Sequence, residues 1–142
     1  MGMGCVWITL LGRVVYSKYM NSEERERHLP YYERATRPWG TFERFTLNQP
    51  STVKIVTVKP GCVLSLQTHA HRSEFWHIVA GEGYAVIDGA RREARAGDEF
   101  FVSKGAPHRI GAGSQELVFL EIALGDFDEE DVVRIDDAYG RA

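Results

Sequence analysis

Short apolar segments separated by turn residues run from residue 42 to residue 123, and this pattern restricts the fold most strongly. The segments are rich in β-branched and aromatic residues, which favour strands, while glycine, proline and aspartate between them favour turns. Eight strands are predicted: Phe42–Leu47, Thr52–Val58, Val63–Thr68, Phe75–Ala80, Tyr84–Ile87, Glu99–Val102, His108–Ile110 and Leu117–Ala123. Strands that recur about every 8–12 residues without helices between them indicate an all-β sandwich or barrel.

Outside this run of strands, the pattern indicates only short elements. Ser22 is expected to cap a short polar helix that begins near Asn21. The apolar stretch within residues 6–16 suggests an additional strand, and the acidic segment GDFDEEDVVRIDD suggests a closing helix or loop. We therefore predict an N-terminal extension, residues 1–36, followed by one barrel domain, residues 37–142.

Composition and charge exclude several classes of function. The net charge of the 142 residues is -3 and no basic stripe is present, so nucleic acid is not an expected partner. Cys5 and Cys62 form neither a CxxC motif nor a disulfide framework, which favours a reducing cytoplasm. The apolar stretch Val6–Leu11 is too short to cross a bilayer, so no membrane association is expected.

Four polar side chains from two distant stretches are predicted to converge in a metal site. Side chains alternate between the faces of a strand, so Gln67 and His69 project together. A bend after His69 returns the chain with Glu74, and His108 begins a strand after a tight turn. Two imidazoles, one carboxylate and one amide oxygen suit Zn, Fe, Mn, Co or Ni, and we expect zinc first. The same alternation places His77 on the opposite face.

The spacing of these residues resembles the signature of the cupin superfamily, in which a glycine precedes His-x-His, a glutamate and a second glycine. The stretch GCVLSLQTHAHRSEFWHIVAG, residues 61–81, follows this signature with Gln67 in place of the first histidine. The second signature segment resembles GDEFFVSKGAPH, which ends at His108. The resemblance implies a cupin double-stranded β-helix, a jelly-roll barrel, with short peripheral helices.

The glutamine and three further stretches narrow the resemblance to one cupin family. SLQTHAHRSEFWHIVAG resembles the C-terminal isomerase domain of type II phosphomannose isomerases, which is often fused to a mannose-1-phosphate guanylyltransferase. RPWG, GAPHRI and EEDVVRIDDAYGR resemble other parts of that domain in the same order. The chain departs from the family at Ala70 and Phe75, where histidines are usual.

This resemblance implies interconversion of mannose 6-phosphate and fructose 6-phosphate through an enediol, with a divalent metal as Lewis acid. The metal ligands would be Gln67, His69, Glu74 and His108. His71 is the predicted proton shuttle, because histidine side chains exchange protons near neutral pH. Four basic side chains are candidates for binding phosphate or stabilising the enediolate: Lys104, Arg72, Arg109 and Arg134.

Two other functions remain open at this point. The chain could be a binding module that holds a metal and a sugar without turnover, or another metal-cupin enzyme such as a dioxygenase. In each case the expected partner is a small molecule, and a sugar phosphate is the first candidate. An apolar outer face that carries Phe75 and His77 suggests a homodimer.

Overall fold

The computed structural model describes residues 20–142, which form two compact units divided between Leu47 and Asn48. The domain boundary predicted after residue 36 stays a prediction. The strand predicted within residues 6–16, together with Cys5, lies outside the described residues.

The first unit contains one short helix and one hairpin among its described residues. The helix α1 spans Ser22–His28, and the hairpin pairs β1, Glu33–Arg37, with β2, Gly40–Arg44. Asn21 caps the helix, so the predicted cap at Ser22 was one residue late. The Asn21 side chain accepts a hydrogen bond from the backbone N–H of Glu24 at 2.8 Å, and the Glu24 carboxylate accepts from the Asn21 N–H at 3.2 Å.

The second unit consists of two antiparallel sheets. Its strands are β3 Ser51–Val58, β4 Leu66–Thr68, β5 Ser73–Ala80, β6 Glu82–Ile87, β7 Ala90–Arg95, β8 Glu99–Val102, β9 His108–Ala112, β10 Leu117–Leu124 and β11 Val133–Asp136. The four-stranded sheet has the order β3-β10-β5-β8, and the five-stranded sheet has the order β11-β4-β9-β6-β7. The predicted hairpin at Asp88-Gly89 joins β6 to β7, and both residues have positive φ.

The inner faces of the two sheets enclose an apolar core. Trp76, Ile78 and Phe119 from the four-stranded sheet belong to the same buried cluster as Ile87 and Ile110 from the five-stranded sheet. The core fills the barrel beside the polar residues at the start of β5, so those residues lie in a largely dry environment.

The predicted closing helix or loop at the C-terminus was wrong in part. Residues 125–132 form a loop, but Val133–Asp136 is strand β11, which pairs with β4. Valine and isoleucine in this segment favour a strand. The acidic residues before this segment led to the prediction of a helix or loop instead.

Candidate metal centre

Three donor side chains, two in strands and one directly after a strand, meet at the inner face of the barrel. His69 follows β4, Glu74 lies in β5 and His108 begins β9. One ligand atom from each lies within 4.8 Å of the others, and each residue is only 2% exposed. The pairing of Gln67 with His108 across β4 and β9 explains how distant stretches meet.

Backbone carbonyls orient both imidazoles. The Nδ1 atom of His69 donates to the carbonyl of Asp131 at 2.5 Å, and the Nδ1 atom of His108 donates to the carbonyl of Ala106 at 2.8 Å. Each ring therefore directs Nε2 towards Glu74, with Nε2 of His69 at 3.1 Å and Nε2 of His108 at 3.7 Å from its carboxylate oxygens. Such a second hydrogen bond fixes the tautomer that binds a metal through Nε2.

The electrostatic state of the cluster matches what metal ligands require. Burial alone would raise the pKa of Glu74, but the hydrogen bond from His69, the charges of His108 and His69, and the hydrogen bond from Arg72 lower it to about 2. Burial lowers the pKa of His108, against the opposing effects of the Ala106 carbonyl and Glu74. The cluster thus presents an ionised carboxylate and a neutral imidazole at neutral pH.

Gln67 lies beside these three residues. Its Nε2 atom is 3.4 Å from Nε2 of His69, and its Oε1 atom accepts a hydrogen bond from the Ser65 hydroxyl at 2.8 Å. A hydroxyl group accepts as readily as it donates, so Ser65 would also hold the amide in its reversed orientation. In that orientation Oε1 of Gln67 would face the cluster.

These donors fit a divalent metal ion. The Nε2 atom of His108 is buried and has no hydrogen-bond partner, which is costly for a polar atom in a dry site. Two imidazole nitrogens, one carboxylate and one amide oxygen are the ligands that Zn and Mn accept. An ion bound there would satisfy the His108 nitrogen and balance the charge of Glu74.

Arg72 borders the cluster and connects it to the loop of residues 125–132, which we call the covering loop. Its Nε atom donates to Glu74 Oε1 at 3.1 Å, and it donates to the carbonyls of Asp128 at 2.9 Å and Asp131 at 3.3 Å. Its guanidinium lies 4.7 Å from the Phe127 ring centroid. Arg72 is 5% exposed, so it is a buried cation paired with a buried anion.

Asp131 anchors the covering loop to the bend that follows His69. Its carboxylate accepts hydrogen bonds from the backbone N–H groups of Ala70 at 2.8 Å and His71 at 2.9 Å. Desolvation opposes these bonds, but they lower the pKa of Asp131. Because the Asp131 carbonyl also holds His69, the loop and the bend fix the direction of one ligand.

Four other predicted site residues lie outside this set of three donors. His71 and Lys104 are exposed, on the bend after β4 and on the turn before β9. Arg109 is not brought to the cluster, since its guanidinium forms an ion pair with Asp136 at 3.0 Å. Arg134 pairs with Gln67 across β11 and β4, so it shares the inner face, and its Nε atom is buried without a hydrogen-bond partner.

His77 contacts Glu99 at 3.3 Å, in keeping with its predicted orientation away from the ligands. Sequence reasoning missed Asp131, whose carbonyl holds His69. It also missed Glu121 of β10 and Lys54 of β3, which pair with each other. The signal for Glu121 was available, because it is the only charged residue in the apolar strand LVFLEIAL. Nothing in the acidic segment distinguished Asp131 from its neighbours.

Comparison with solved structures defines the class of protein. A cupin protein from Bacteroides fragilis superposes with a TM-score of 0.51 at 24% identity, covering 60% of this chain and 76% of that one. An oxalate decarboxylase from Bacillus subtilis, described by its Mn(II) centers, gives 0.54 at 28% identity, covering 64% and 25%. The chain has a cupin-type jelly-roll fold, as predicted.

Comparison of the sequence identifies a family among the proteins that share this fold. The chain belongs to the mannose-6-phosphate isomerase C-terminal family, which matches residues 21–137, as the sequence resemblance predicted. A mannose-1-phosphate guanylyltransferase from Escherichia coli K12 is 36% identical over 124 residues, which cover 86% of this chain and 26% of the enzyme. The chain spans about a quarter of the length of the curated relatives it matches. Among residues 20–142, no helix is long and apolar enough to cross a membrane.

Proposed function

We propose that this protein is a metal-dependent sugar-phosphate isomerase that interconverts mannose 6-phosphate and fructose 6-phosphate. The observation that carries the proposal is the buried set of His69, Glu74 and His108 within a chain of the mannose-6-phosphate isomerase C-terminal family. Their convergence at an inner barrel face is what a metal-assisted proton transfer needs.

The metal would be held by His69 and His108 through Nε2 and by Glu74 through its carboxylate, with Gln67 joining through Oε1. When bound, a divalent ion polarises the carbonyl and hydroxyl oxygens of the sugar. The Mn(II) centers named for the oxalate decarboxylase support manganese as an alternative to zinc, because both accept nitrogen and oxygen ligands.

Basic side chains near the centre are proposed to bind the phosphate and the anionic oxygens. Arg134 shares the inner face with Gln67, and Arg72 adjoins Glu74. Lys104 lies on the turn before β9. The next residue, Gly105, donates its backbone N–H to the carbonyl of His69 at 2.7 Å, which ties this turn to the bend after β4. The roles predicted for Arg109 and for a homodimer rest on the sequence alone.

A coupled isomerase assay tests this function. The protein is stripped with a chelator, reloaded with zinc or manganese and supplied with mannose 6-phosphate, glucose 6-phosphate and fructose 6-phosphate. We expect conversion between the mannose and fructose phosphates by the loaded protein only. Glu74→Gln should reduce turnover by at least about 1,000-fold, because it removes the anionic ligand.

The result also separates this function from the two alternatives. A protein that binds metal and mannose 6-phosphate but converts none of the hexose phosphates is a binding module. Metal binding without affinity for any sugar phosphate would instead favour another cupin reaction. Either outcome refutes the isomerase.

A further inference from the structure

A second buried carboxylate, that of Glu121, lies on the same interior face of the barrel as the metal centre. Glu121 lies two residues after Phe119 in β10. The centroid of the Phe119 ring is 5.6 Å from that of the Trp76 ring. Side chains two residues apart share a face, so Glu121 points into the barrel with Trp76. Only 9% of the residue is exposed.

The strand register gives Glu121 its neighbours. It pairs with Trp76 of β5 on one side and with Lys54 of β3 on the other. Glu74 lies two residues before Trp76 and is therefore a diagonal neighbour of Glu121. Diagonal neighbours on one face are about 7–8 Å apart, so the side chains of Glu121 and Glu74 line the same part of the inner face. Ala123, which pairs directly with Glu74, has only a small side chain on that face.

The basic residue beside Glu121 is engaged elsewhere. Lys54 binds Glu129 at 3.1 Å and packs 4.4 Å from the centroid of the Phe127 ring, both in the covering loop. The Glu121 carboxylate therefore lies on the inner face of the barrel while its nearest lysine is directed to the covering loop.

The charged groups that face Glu121 are Glu74, Lys54, Arg72 and His69. A general base must lie within reach of the carbon-bound proton, and Glu121 lies on the inner face beside the proposed metal ligand Glu74. The ionised Glu74 beside it is suited to a different task, which is to hold a cation.

We propose that Glu121 is the base that carries a proton between C2 and C1 of the sugar phosphate. This inference rests on the proposed function. The carboxylate removes the proton from C2 of the aldose, the C–H electron pair forms the C1=C2 bond, and the C1=O1 π pair moves onto O1 to leave an enediolate. The proton of the O2 hydroxyl moves to O1. The electron pair on O2 then forms the ketone C2=O2 bond, while the C1=C2 pair takes the proton of the carboxyl group onto C1.

His71 is the competing candidate for this role. Its side chain is exposed on the bend, and Asp131 holds its backbone rather than its ring. Glu121 is buried on the inner face that also carries Glu74. The geometry therefore favours Glu121.

Deuterium incorporation distinguishes the two candidates. Metal-loaded wild type, Glu121→Gln, Glu121→Asp, His71→Asn and Glu93→Gln are incubated with mannose 6-phosphate in deuterium oxide, and label at C1 and C2 is measured by NMR. Glu93 is an exposed carboxylate on β7 and serves as the matched control. We expect Glu121→Gln to lower label incorporation and turnover about 100- to 10,000-fold, with partial recovery in Glu121→Asp. The Glu93→Gln variant should match the wild type.

Binding measurements complete the test. By calorimetry, Glu121→Gln should keep the wild-type affinities for zinc and for fructose 6-phosphate within about threefold, because a base contributes to the reaction step rather than to binding. Wild-type label incorporation in Glu121→Gln, or a parallel loss of zinc binding, overturns this inference alone. A wild-type protein that binds zinc but neither converts mannose 6-phosphate nor incorporates deuterium overturns the isomerase function as well.

Discussion

Arg72→Met is expected to destabilise the metal-free protein by about 3–5 kcal/mol, because it leaves the carboxylate of Glu74 buried without its cation. The two side chains are 6% and 2% exposed and 3.1 Å apart, so solvent offers little compensation. A bound divalent ion would supply the missing positive charge. In the zinc-loaded protein the loss should therefore shrink to about 1–2 kcal/mol, which corresponds to the hydrogen bonds to the covering loop.

Urea unfolding of the chelator-treated and zinc-loaded proteins measures both values. Arg95→Met is the matched control, since Arg95 forms an exposed ion pair with Glu93 at 2.7 Å and its loss should cost under about 1 kcal/mol in both states. The account is contradicted if Arg72→Met loses the same free energy of unfolding with and without zinc.

His108→Ala is expected to weaken zinc binding by more than about 100-fold. Residues that only orient a ligand contribute about 10- to 100-fold to metal affinity, and His108 is proposed to bind the ion directly. Competition with a chromophoric chelator measures the change. His77→Ala removes an imidazole that contacts Glu99 instead, so its zinc affinity should remain that of the wild type. Equal losses in the two variants would refute the assignment of His108.

Strand alternation was sufficient to predict which of these side chains lie together. Gln67 and His69 do lie together, and the register that joins β4 to β9 brings His108 beside them. The turn at Asp88-Gly89 was equally predictable, because positive φ at both positions favours glycine and aspartate. These features depend on residues close in sequence or on the alternation of side chains between the two faces of a strand.

Features that depend on tertiary neighbours could not be predicted in the same way. Strand β11 exists because β4 offers an edge for pairing, and the acidic residues before it suggested a loop. The environment of Glu121 requires Lys54 and Glu74 from strands far away in the chain. The cap at Asn21 could have been predicted from the sequence, however, because Glu24 follows three residues later and completes a capping box.

Two imidazoles and a carboxylate on the inner face of this barrel are proposed to bind one divalent ion. X-ray absorption at the zinc edge of the loaded protein tests this binding most directly. We predict a shell of nitrogen and oxygen at about 2.0–2.2 Å with the outer scattering of two imidazoles, reduced to one imidazole in His108→Ala. A sulfur ligand at about 2.3 Å, or an unchanged spectrum in His108→Ala, would contradict the account.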